Sequence, residues 1–78
     1  MDLEKARVYF EAGSLAGAEI QPAPMGAGWV VELRQGSGER HLLSVARTTR
    51  HKVYKTLEAA AADARRLGFR SVTVYLVR

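Results

Sequence analysis

The chain has 78 residues, 47% of them apolar and 26% charged, with a formal net charge of +4 and no cysteine. That length accommodates one domain spanning residues 1–78, its apolar fraction argues against disorder, and the missing cysteine excludes a disulfide framework, a thiol nucleophile and a thiolate metal site. No run approaches the roughly 20 apolar residues of a membrane span, and the acidic start Met1-Asp2-Leu3-Glu4-Lys5 lacks the apolar core of a signal peptide, so a cytoplasmic protein is expected.

Asp2 is placed to cap a first helix running to about residue 12, with Gly13 to end it. Leu3, Ala6, Phe10 and Gly13 share one face of that helix, although Val8-Tyr9-Phe10 also has strand character. Residues 13–17 read as a tight connection and 18–21 as a short strand stopped by Pro22. The stretch 22–28, with two prolines and two glycines, reads as a loop or wide turn.

Residues 29–34 form the clearest strand, with Trp29, Val31 and Leu33 on one face and Val30, Glu32 and Arg34 on the other. A polar hairpin loop at 35–39 leads to a third strand over 41–47. Residues 48–51 are turn-like, and 52–55 suggest a short further strand.

A helix over 56–67 has both ends marked. Thr56 is a suitable N-cap, Glu58 suits the positive end of the dipole, and Gly68 supplies the left-handed residue past the end. Leu57, Ala60, Ala61, Ala64 and Leu67 share one face, whose alanines favour close packing on a sheet, while Glu58, Ala62, Asp63 and Arg66 lie elsewhere. The tail 71–77 alternates Val72, Val74 and Leu76 with Thr73, Tyr75 and Val77. Both faces are apolar enough for a central strand or one covered by another subunit. The predicted fold is α+β: a small antiparallel sheet of four to five strands with two helices on one face, in the order α-β-β-β-(β)-α-β. The helix, three-strand, helix core is similar in order to double-stranded RNA-binding domains, a fold-level analogy to which the last strand does not belong.

Candidate chemistry is sparse. His41 and His51 have no metal-ligand spacing. Ser37 lacks the flanking pattern of a nucleophile elbow, and Gly26-Ala27-Gly28 precedes a strand, whereas a phosphate loop opens a helix. No enzyme, metal or cofactor is expected.

Charge is the stronger signal. Residues 1–32 carry five acids against Lys5 and Arg7, while residues 33–78 carry ten bases against Glu39, Glu58 and Asp63. That segregation fits a side facing a polyanion, a self-complementary dimer or an ordinary solvated surface. The candidate nucleic-acid contacts are Arg47, Arg50, His51, Lys52 and Lys55, extended by Arg65 and Arg66 on the helix. Tyr54 or Tyr75 could stack on a single strand. Against this, alternating strand residues would send the charges to both faces. Two separated helices make no helix-turn-helix. A homodimer is the competing expectation, because a chain this small buries only about 60–65% of its unfolded surface. Its interface candidates are Val72, Val74, Tyr75 and Leu76.

Three pieces carry a family resemblance: Phe10-Glu11-Ala12-Gly13-Ser14-Leu15; Pro22-Ala23-Pro24-Met25 followed by Gly28-Trp29; and Val53-Tyr54-Lys55-Thr56-Leu57-Glu58-Ala59-Ala60 ending in Leu67-Gly68-Phe69. In order and spacing the chain resembles small partition-associated or plasmid-stabilisation accessory proteins of proteobacterial plasmids and mobile elements. The matched positions are caps, turns and core, so no functional residue carries over. The resemblance implies a non-enzymatic role beside DNA-maintenance machinery, with DNA or plasmid-maintenance proteins as partners. The alternative is a protein-interaction module whose positive half docks on an acidic partner.

Overall fold

Both helices start on side-chain caps that are local in sequence. The computed structural model describes every residue except Met25 and Arg78, so one position of the predicted 22–28 loop lies outside the described residues. In α1 (Leu3–Glu11) the Asp2 carboxylate accepts from the Lys5 backbone N–H at 2.9 Å. In α2 (Leu57–Leu67) the Thr56 hydroxyl accepts from the Ala59 N–H at 3.1 Å. Each bond satisfies a donor that the first helical turn leaves without a partner.

The strands are β1 (Leu15–Pro22), β2 (Trp29–Gln35), β3 (Arg40–Leu42) and β4 (Thr73–Val74), arranged in one sheet in the order β3-β2-β1-β4. The α+β class and the order α-β-β-β-α-β are those expected. β1 and β2 pair antiparallel with Ala18 opposite Leu33 and Ile20 opposite Val31. These four residues are buried and form the inner face, together with Leu43 and Tyr54. α2 crosses this face, and α1 lies beside α2 and reaches the same core through Ala6 and Leu3. No helix among the described residues is long and apolar enough to cross a membrane.

Several details depart from the expected arrangement. The sheet is mixed, since β4 pairs parallel to β1, with Glu19 opposite Thr73 and Ile20 opposite Val74. The physical reason is the crossover: α2 carries the chain from one edge of the sheet to the other, a connection that returns a strand in parallel sense. β4 is therefore an edge strand of two residues and not a central one. β1 is longer than expected, taking in Leu15–Gly17 with an irregularity in register there. The third strand stops at Leu42, because Ser44 bridges to Asp2 and His51 instead of continuing the ladder. Of the suggested strand at 52–55, the Lys52 N–H donates to the Leu43 carbonyl and Tyr54 exchanges two 2.8 Å backbone hydrogen bonds with Trp29, contacts that do not join into a ladder.

The outer face of the sheet buries Val30 and also carries Glu19, Glu32, Arg34 and Arg40. Arg40 donates to Glu19 at 2.8 Å and Glu32 at 3.1 Å across three strands.

The junction between the helices depends on Gly68. Its φ of 124° ends α2, and the Phe69 N–H donates back to the Ala64 carbonyl at 3.2 Å, as in a left-handed helix stop. Phe69 then meets Phe10 of α1 edge-on, with ring centroids 5.0 Å apart. A Cβ on Gly68 would come within 2.5 Å of the Phe10 ring. Gly68→Ala combines left-handed strain with that collision and is expected to destabilise by about 2 kcal/mol or more. That corresponds to a melting temperature roughly 8–16 °C lower. Gly36→Ala, whose Cβ would meet nothing within 4 Å, should stay within about 0.5 kcal/mol of wild type. Thermal melts of the two variants check both values.

Candidate nucleic-acid interface

After β3 the chain forms an irregular hairpin over residues 43–54 that leaves the sheet and returns to it at Tyr54. Its arms are joined by bonds from the Lys52 N–H to the Leu43 carbonyl and from the Val45 N–H to the Arg50 carbonyl. The tip, 45–50, is held by short-range polar contacts. Thr48 Oγ1 donates to the Val45 carbonyl at 2.9 Å and accepts from the Arg50 N–H at 3.1 Å. Arg47 takes a left-handed φ of 61°, and its N–H donates to Asp2 Oδ2 at 3.1 Å. Asp2 thus caps α1 with one oxygen and pins the tip with the other. Its carboxyl is held below the usual range, first by the Lys5 N–H and then by the Arg47 N–H. Tip and helix start border an open cleft of about 610 Å³ lined by Asp2, Lys5, Ser44, Arg47 and Thr48.

The base of the hairpin is fixed by Asp63 of α2, which is only 2% exposed. Its Oδ2 accepts from Lys52 Nζ at 2.8 Å and from the Tyr54 hydroxyl at 2.6 Å, and its Oδ1 accepts from Arg66 Nη1 at 2.6 Å. Lys52 also lies 5.2 Å from the centre of the Tyr54 ring. Burial alone would raise the Asp63 carboxyl, but the Lys52, Tyr54 and Arg66 donors outweigh it and hold the group below its ordinary value. Burial, and then the bond to Asp63, pushes the Tyr54 hydroxyl well up.

These contacts sort the expected cations. Lys52 and Arg66 are engaged by Asp63, although the Arg66 side chain stays largely exposed. Arg47, Arg50, His51, Lys55 and Arg65 are exposed. Among the described residues, no carboxylate pairs with Arg47, Arg50, Lys55 or Arg65. The tip brings Arg47 and Arg50 together, with Lys5 across the cleft as an addition the sequence reading did not include. Arg65 stands apart on α2, beside a groove it shares with Arg70. Tyr54 is buried against Asp63 and presents no stacking face, whereas Tyr75 is exposed.

Helical spacing sets Asp63 off the apolar face of α2, yet the structure buries it. It follows Ala60 by three residues, so it borders the buried stripe where Tyr54 arrives. The i,i+3 spacing to Arg66 was readable; the arrival of Lys52 and Tyr54 from another segment was not.

Of the four interface candidates on the tail, Val72 is partly buried against the core, and Val74, Tyr75 and Leu76 are exposed. Among the described residues no group of three or more His, Asp or Glu side chains is arranged to hold a metal ion. Comparison with protein-family models, with curated proteins and with solved structures found no match.

Removing the carboxylate in Asp63→Ala strands the buried Tyr54 hydroxyl and two cations, and is expected to cost about 3 kcal/mol. The pH dependence has a definite sign. The folded carboxyl lies below the unfolded value of about 3.9, so its stabilisation is complete above that value and is lost as pH falls through the folded value. Urea unfolding at pH 7 and pH 3 should show a smaller acid-induced loss in Asp63→Asn than in wild type.

Proposed function

We propose that this chain is a non-enzymatic DNA-contacting accessory protein, in the role of plasmid or mobile-element maintenance that its resemblance implies. The observation that carries the reading is the hairpin tip. Its backbone is held by Asp2 and Thr48, while the Arg47 and Arg50 guanidinium groups are exposed and, among the described residues, without carboxylate partners. A backbone held in advance lowers the ordering cost of binding, and unpaired cations on it can displace counterions from a phosphate backbone. Lys5 beside the tip and Lys55 beyond the hairpin add positive charge. The tip is too short to enter a groove as a helix or a β-ribbon, so the contacts are of the positioning kind and carry little sequence preference.

Fluorescence anisotropy with a duplex at two salt concentrations tests this. Binding should weaken steeply with salt. The Arg47→Ala/Arg50→Ala double variant should bind more weakly on unrelated sequences alike and lower the salt slope by about 2. No binding at low salt overturns the reading.

A second reading, a homodimer built on the last strand, is favoured by a separate observation. β4 is an edge strand followed by Leu76 and Val77, which are 75% and 79% exposed, with Tyr75 also exposed. Its outer edge can pair antiparallel with the same edge of a second copy, an isologous contact that covers these side chains and pairs the backbone. Light scattering at high protein concentration should give twice the monomer mass, and Leu76→Asp should give the monomer mass. A monomeric wild type under those conditions refutes the dimer.

A further inference from the structure

Arg34 lies outside every contact described so far. It faces outward on β2, opposite Gly17 on β1 and Arg40 on β3. The two acids of the outer face, Glu19 and Glu32, are both taken by Arg40. Among the described residues, Arg34 is left half-buried with neither a carboxylate nor a carbonyl partner. A guanidinium that no carboxylate engages keeps its paired N–H donors free for an anion able to accept from them.

The absent side chain of Gly17 sets where that guanidinium lies. A Cβ there would be 2.6 Å from Arg34 Nη2 and 3.4 Å from Cζ. Gly17 therefore lets the guanidinium lie against the β1 backbone, directed to the β4 side of the strand. There the chain has just left α2, and the β1–β4 ladder begins only at Glu19 and Thr73. Upstream of that pair the two segments are separated by a polar cleft of about 290 Å³, lined by Gly17, Glu19, Arg34, Arg70, Ser71 and Thr73. Arg70 is exposed and also lacks a carboxylate partner among the described residues.

We infer that this cleft is a binding site for a phosphate group carrying a protonatable oxygen, either inorganic phosphate or a phosphomonoester. Arg34 on one wall and Arg70 on the other can each take oxygens of a tetrahedral anion, which a planar carboxylate cannot offer to both walls. Ser71 and Thr73 carry hydroxyl donors on the same side as Arg70. Glu19, which shares Arg40 with Glu32, borders the cleft and is an acceptor for the phosphate hydroxyl, which selects a monoester over a diester. The site does not depend on the hairpin reading, because it shares no residue with the tip.

Two-dimensional amide NMR titration with sodium phosphate, against sodium chloride at equal ionic strength, tests it. Saturable shifts are expected at Gly17, Ser71 and Thr73 with phosphate alone. Arg34→Gln should weaken binding about tenfold or more, the worth of a charge-assisted pair. Gly17→Ala, which leaves the charge but displaces the guanidinium, should weaken it too. Arg70→Gln alters an exposed side chain and reads the same site if Arg34→Gln does not fold. Arg47→Ala should leave the titration unchanged, so loss of duplex binding and loss of this site are separate results. Dimethyl phosphate should bind several-fold more weakly; equal binding overturns the monoester assignment. A 5′-phosphorylated dinucleotide binding more tightly than inorganic phosphate identifies a terminal phosphate as the source, and tighter inorganic phosphate identifies the free ion. Shifts that match those with chloride, or that persist unchanged in Arg34→Gln and Arg70→Gln, overturn the site.

Discussion

A carboxylate buried on an alanine-rich helix obliges its surroundings to supply donors, and at Asp63 they come from two separate segments. Arg66 is on the same helix, while Lys52 and Tyr54 arrive from the returning arm of the hairpin. Charged hydrogen bonds in a site of low dielectric are strong when complete and costly when broken. The hairpin is therefore held against α2 at its base. From the same Tyr54 the arm reaches β2 through its two bonds to Trp29. One buried residue thus couples the helix layer, the sheet and the irregular segment between them.

That coupling determines which charges remain available. A basic cluster read along the chain is a sum, but a fold divides it. Lys52 and Arg66 answer a buried acid, Arg40 answers two acids on the outer face, and Arg7 donates to the Arg66 carbonyl at 3.0 Å near the end of α2. Among the described residues, the arginines left over lie in two places: the tip with Arg47 and Arg50, and the ground around residues 69–73 with Arg34, Arg65 and Arg70; Lys5 borders the tip and Lys55 lies beyond the hairpin. Asp2 joins two elements at the tip as Asp63 does at the base, but its donors are the backbone N–H groups of Lys5 and Arg47. The proposed surfaces are the remainder after internal pairing, and their positions follow from which acids the fold buries.

The tail illustrates the opposite case, apolar surface that the fold leaves uncovered. Parallel pairing of β4 with β1 ends after two residues, although the sequence favours a strand through residue 77. The N–H of Tyr75 still reaches the Ile20 carbonyl at 2.8 Å, so the segment continues the strand direction beyond its ladder. β-propensity describes a residue's fit to a half-buried pleated surface, and within this chain the second half of that surface is missing.

The sequence by itself determined the local features. Thr56 and Asp2 as caps, Gly68 as a helix stop, the Trp29–Val31–Leu33 face and the alanine stripe of α2 depend on groups a few residues apart, whose chemistry is legible in order. It also carried the class and the order of elements, because hydrophobic period differs between helix and strand. Only the tertiary structure decided that Asp63 is buried, that β4 is a parallel edge strand, that the chain leaves the sheet after Leu42, and that no carboxylate among the described residues pairs with Arg34. Each of these is a choice of partner between separate segments of the chain. Such choices are made when the helices close over the sheet, and no local propensity records them.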